Sequence, residues 1–132
     1  MFNSGFRLHC MFCMVIFVVC SGCSSFGGPR KSYEQQVAEG RTLYELNGCT
    51  TCHGAEERGN GTVSKAMHIS PPDFRDATAF VNGYDTAKIA RTIATGLIEP
   101  NQSMPPYPHL SSDDRELLAI FIRSLRSDSK KE

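Results

Sequence analysis

The sequence predicts an all-α fold of three or more helices, and three observations carry that prediction. Apolar residues recur at helical spacing in three stretches. Each stretch opens on a side chain that can cap a helix. No run of strand length alternates apolar with polar residues, and no internal repeat is present. At 132 residues there is room for one domain, with a modest core and no tryptophan.

The elements follow in order. Ser32 and Gln35 fit a capping box, after which Tyr33, Val37, Gly40 and Tyr44 share one face that Leu43 and Leu46 widen. Gly48 ends this helix and places Cys49 at the following turn. Residues 55–74 read mostly as loop, because Gly59-Asn60-Gly61 marks a turn and Pro71-Pro72 excludes helix. The two glycines are no phosphate loop, since no Gly-Lys-Ser/Thr follows.

Asp85 or Thr86 caps a second helix, with Ile89, Ala90 and Ile93 on one face and Gly96 as its stop. Residues 99–108 are extended and proline-rich around Met104-Pro105-Pro106. Ser111 or Ser112 caps the last helix. Its first turn holds Asp113, Asp114 and Glu116 and its end Arg123 and Arg126, as the helix dipole favours. Leu117, Leu118, Phe121, Ile122 and Leu125 form its apolar face. Gly40, Tyr44, Leu117 and Phe121 are the residues expected where the first and last helices cross.

Cys49-Thr50-Thr51-Cys52-His53 is where the chemistry concentrates. Two thiols three positions apart, followed at once by an imidazole, make the attachment site of a c-type haem. Each sulfur can form a thioether to one porphyrin vinyl group, and a neutral imidazole can ligate the iron from below the ring. A redox-active dithiol leaves His53 unused. A zinc site needs further ligands, and the domain has no other cysteine. The expected cofactor is therefore one covalent haem c, around which the helices wrap.

Fourteen Lys and Arg against fourteen Asp and Glu give no net charge, and there is no basic run, so no nucleic-acid partner is expected. Of six cysteines, Cys10, Cys13, Cys20 and Cys23 precede the domain, which argues against a disulfide framework. Residues 1–22 read as a signal peptide, with Arg7 in the n-region and an apolar run over residues 8–19. That run is shorter than the roughly 20 residues of a membrane-spanning helix. Cys20-Ser21-Gly22-Cys23 resembles the lipobox of bacterial lipoproteins, which implies lipidation at Cys23. Cys20 stands where an aliphatic residue is usual, and an uncleaved anchor is the alternative. Residues 23–31 then form a flexible tether, 32–127 the domain and 128–132 a polar tail. Either outcome exports the domain to the periplasmic face of a bacterial membrane, tethered there, and haem attachment of this kind also takes place outside the cytoplasm.

Over residues 40–125 the chain resembles a class I cytochrome c, close to the small bacterial monohaem domains. Gly40-Arg41-Thr42-Leu43-Tyr44 is similar to the family's first helix, Cys49-Thr50-Thr51-Cys52-His53-Gly54 to its haem site, and Met104-Pro105-Pro106-Tyr107 to its distal-ligand loop. Leu110-Ser111-Ser112 leads into a helix like its C-terminal one. Glu57 departs from the pattern, since related domains often carry glycine there. The resemblance implies the cytochrome c fold, His53 as proximal and Met104 as distal iron ligand, and a proline carbonyl as acceptor for the other His53 nitrogen. Pro72 matches that proline, with Pro71 as the alternative. Met67 is the competing thioether, and His68 and His109 are the competing imidazoles.

With protein ligands on both axial positions there is no open iron for a small-molecule substrate. The expectation is a one-electron carrier, not an enzyme, that works by outer-sphere transfer through the haem edge. Its partners would be redox proteins or a larger oxidoreductase in which it is a subunit. A haem-based gas-binding or sensor module with a labile distal Met is the alternative; a peroxidase needs an open iron and distal acid–base groups, which the Met104 loop does not supply.

Overall fold

A computed structural model describes residues 30–128. The signal peptide, Cys23, nearly all of the tether and the last four tail residues lie outside the described residues. The all-α expectation holds: the described residues form five α-helices and one 3-10 turn, and their only extended pairing is the bridge between Leu97 and Met104.

Helix α1 (Tyr33–Leu46) starts at the capping box read from the sequence: Ser32 Oγ accepts from the Gln35 N–H and Gln35 Oε1 from the Ser32 N–H, at 3.2 and 2.8 Å. It ends at Asn47 and Gly48, and α2 (Thr50–His53) begins at once. Helix α3 (Thr62–Met67) falls inside the stretch read as loop. No sequence pattern marks it, because it is six residues long, has no side-chain cap and leaves Val63 and Met67 exposed. A 3-10 turn (Ala77–Ala79) leads towards α4 (Thr86–Thr95), capped by Asp85, whose Oδ1 accepts from the Lys88 N–H at 2.8 Å. The last helix, α5 (Ser112–Asp128), is capped by Ser111, which exchanges two 3.1 Å bonds with Asp114.

Helices α1 and α5 cross at Gly40. A Cβ there would overlap the Leu117 carbonyl oxygen and lie 2.7 Å from Phe121 Cβ, so only glycine lets the backbones approach this closely. Tyr44, one turn on, is buried against Phe121 with ring centroids 5.6 Å apart. Helix α4 also packs on α5, and its Ile89 and Ile93 join Leu118 and Ile122 in one buried cluster. Each large apolar side chain buried there stabilises the fold by about 1.5–3 kcal/mol. This frame leaves residues 54–84 and 96–110 to wrap a space beside the α1–α5 crossing. The Ser70 N–H joins the two wrapping segments, donating to the Asn101 carbonyl at 2.8 Å.

Candidate functional site

The turn after α1 sets the geometry of the thiols. The His53 N–H donates to the Cys49 carbonyl at 2.9 Å, so one helical turn carries Cys49, Cys52 and His53 together. The buried Tyr44 hydroxyl donates to the Gly54 carbonyl at 2.5 Å and ties this turn back to α1. Cys49 and Cys52 are both free thiols, half-buried. Burial pushes the Cys49 thiol up to about 11, which keeps it protonated at neutral pH.

These residues open onto a cavity of about 610 Å³, inside the roughly 300–1,000 Å³ range of cofactor pockets. Cys49, Cys52, His53, Pro71, Pro72 and Met104 all line it, and Phe74, Phe80, Ile89, Ile93 and Leu97 make its walls apolar. A smaller gap of about 30 Å³ shares Cys49, His53, Phe74 and Met104 with it and reaches in to Tyr44 and Leu110. The five residues expected to hold the cofactor, Cys49, Cys52, His53, Pro72 and Met104, thus share one cavity, though they span residues 49 to 104.

His53 packs its ring 4.7 Å from that of Phe74, centroid to centroid. Burial lowers its pKa to about 4, so the imidazole is neutral at neutral pH and its lone pair is free to ligate. Its Nδ1 is buried and has no hydrogen-bond partner. The expected bond to Pro72 is therefore not made in this structure, nor is one to Pro71. The Pro71 and Pro72 carbonyls lie against Gly59 instead: a Cβ on Gly59 would overlap the first and come within 3.4 Å of the second. The Gly59 N–H in turn donates to the His53 carbonyl at 2.8 Å.

Met104 is held by its backbone. It exchanges two 2.9 Å bonds with Leu97, and the Tyr107 N–H donates to the Ile93 carbonyl at 3.0 Å, so both flanks of the loop are fastened to the end of α4. Met104 packs against the buried core, whereas Met67 is 63% exposed at the mouth of the cavity. His68 caps α3 and is exposed, and neither it nor His109 lines the cavity. His109 Nε2 lies 3.1 Å from Asn47 Oδ1. The half-buried Tyr107 lines the cavity, and burial raises the pKa of its phenol.

Sequence reasoning missed the walls at Phe80 and Leu97 and the part played by Glu57. Glu57 has a φ of +55° and a buried side chain 3.4 Å from the Arg75 guanidinium. The glycine common in relatives was the one available signal for that backbone conformation.

A family model described as Cytochrome c matches residues 37–126 of the chain. The chain is also similar to cytochrome c oxidase subunit 2 of Alkalihalophilus pseudofirmus, 26% identical over 93 residues. That match covers 70% of this chain and 27% of the oxidase subunit, so the chain spans about a quarter of that relative's length.

Proposed function

This chain belongs to the cytochrome c family, and on that premise we propose that it is a one-electron carrier with iron held between His53 and Met104. The family's cofactor is covalent haem c, and the residues present fit it. A largely apolar cavity of adequate volume carries two thiols at the required spacing, the imidazole of His53, kept neutral by burial, and a thioether. When bound, the haem iron supplies the reversible one-electron couple.

The chain's own residues do the rest. Cys49 and Cys52 fix the group covalently. His53, neutral through burial, ligates the iron, and Met104 offers a soft sulfur that favours the ferrous state. Phe74, Phe80, Ile89 and Ile93 exclude water, which raises the potential further by disfavouring the extra ferric charge. Exposed Met67, Val81 and Ile98 rim the cavity and offer an uncharged margin where a redox partner approaches the haem edge for outer-sphere transfer. Export and a lipid tether at Cys23 place the carrier on the outer side of a membrane.

The observation that carries this reading is Met104 in the same cavity as Cys49, Cys52 and His53. The ferric protein should have the far-red charge-transfer band of methionine ligation. Met104→Ala should abolish it and Met67→Ala should leave it in place. A band that survives Met104→Ala would falsify the distal assignment, and rapid carbon monoxide binding to the native ferrous protein would favour a gas-binding module instead. The likeness to an oxidase subunit favours a place within a larger oxidoreductase. Co-purification of the tagged full-length chain with oxidase components would support that place, and a carrier recovered alone from gently solubilised membranes would count against it.

A further inference from the structure

Glu57 combines two features that disfavour a glutamate. Its φ of +55° lies in the left-handed region, where a Cβ crowds the backbone, and its carboxylate is taken out of water with the side chain only 7% exposed. Such features persist where the surroundings over-determine them. Here the surroundings are Arg75. Its Nη2 lies 3.4 Å from Glu57 Oε2, while its Nη1 donates to the Glu56 carbonyl at 2.9 Å and lies 3.3 Å from Asp73 Oδ1. The Phe74 N–H adds a 3.0 Å bond to the Glu57 carbonyl. One guanidinium therefore clasps residues 56–57 to residues 73–75.

Both clasped segments border His53. The first leads to Gly59, whose N–H donates to the His53 carbonyl, and the second carries Phe74, whose ring packs on the imidazole. Neither Glu57 nor Arg75 lines the cavity. We infer that Glu57 and Arg75 are a positioning pair, which sets how the imidazole of His53 is held and thereby the ferric–ferrous balance of the iron from outside the haem pocket. The inference rests on His53 being the proximal ligand.

Charge and positioning predict different patterns. Acting through charge alone, loss of the carboxylate favours ferrous iron and loss of the guanidinium favours ferric iron, so the two cancel when both are removed. Acting through position, either loss removes the same Glu57–Arg75 contact from the clasp. The test uses full-length, haem-loaded protein with Glu57→Gln, Arg75→Gln, the double variant and Glu57→Gly. The readouts are the equilibrium with redox mediators and the hyperfine-shifted haem methyl resonances, which report the orientation of the imidazole plane.

The two single Gln variants should shift the ferric-to-ferrous ratio in the same direction by about threefold, ~28 mV at the one-electron conversion of 59 mV per tenfold. The double variant should shift it no further than the larger single, and the methyl pattern should change alike in all three. Opposite shifts that cancel in the double variant would leave only a charge effect and overturn the inference, as would an unchanged methyl pattern. Glu57→Gly covers the case in which the Gln variants do not fold, because glycine adopts this φ without strain. It should give the same altered pattern, and a wild-type pattern and equilibrium in Glu57→Gly would sink the proposal. Wild-type protein whose spectrum lacks imidazole ligation would instead refute the ligand reading, before any variant is compared.

Discussion

Tyr44 does two jobs at the scale of a single residue. Its ring fills the crossing of α1 and α5, and its hydroxyl is the donor to the Gly54 carbonyl beside the haem-attachment turn. Burial, reinforced by the Glu57 charge, raises its pKa well above the usual tyrosine value, so the donor stays protonated. Tyr44→Phe keeps the ring but removes this bond, leaving the buried Gly54 carbonyl with only the longer 3.3 Å bond from the Glu57 N–H, at a cost of about 1 kcal/mol. Chemical denaturation of the haem-loaded variant should register that loss while its visible spectrum stays unchanged. What could be read in advance at this scale was set by local rules. Cys49, Cys52 and His53 follow from their spacing alone. Met104 needed the proline context and the resemblance, and the Pro72 acceptor, inferred by resemblance only, is not engaged. The Glu57–Arg75 pair spans eighteen positions, and nothing in either residue's neighbourhood announces the other.

At the scale of elements, caps were legible because each is written within four residues. Ser32 caps α1 and Asp85 caps α4, and the choice left open at α5 falls on Ser111. Helix α3 and the Leu97–Met104 bridge were not legible. The first presents its apolar residues to the cavity mouth instead of the core, and the second pairs residues across a turn with no strand pattern. The Asp85 carboxylate is held below its ordinary 3.8 chiefly by its bond from the Lys88 N–H. A lowered carboxylate pKa means the folded state binds fewer protons, so this contribution is fully present above 3.8 and lost as pH falls through the folded value. Asp85→Ala should therefore melt at lower temperature than wild type at pH 7, with the gap narrowing at strongly acidic pH. At the helix crossing, Gly40→Ala sets two effects against each other. Alanine gains about 1 kcal/mol in helix propensity, but its Cβ overlaps backbone that cannot move aside, an overpacking cost of about 1–3 kcal/mol. The clash should win, and a Gly40→Ala protein more stable than wild type in urea would show that the helices can separate.

Across the whole molecule, Lys and Arg balance Asp and Glu, so long-range steering has little net field to work with. Electron-transfer rates with a physiological partner should fall by less than about tenfold between low and high salt, below the range strong steering supplies. A steeper dependence in stopped-flow measurements would mean that local patches around the cavity govern encounter. The architecture explains why the all-α class could be read from sequence while the cavity could not. Helix faces repeat along the chain, but the cavity is assembled from α2, α4, Ile122 of α5 and two long connecting segments.

The backbone bond from Ser70 to Asn101 bears on how the cavity is kept shut. It joins the segment that follows α3 to the turn that precedes Met104, and Ile69 and Gln102 beside it line the cavity. It is a latch between the two wrapping segments, and neither can swing away from the cavity at this point without breaking it.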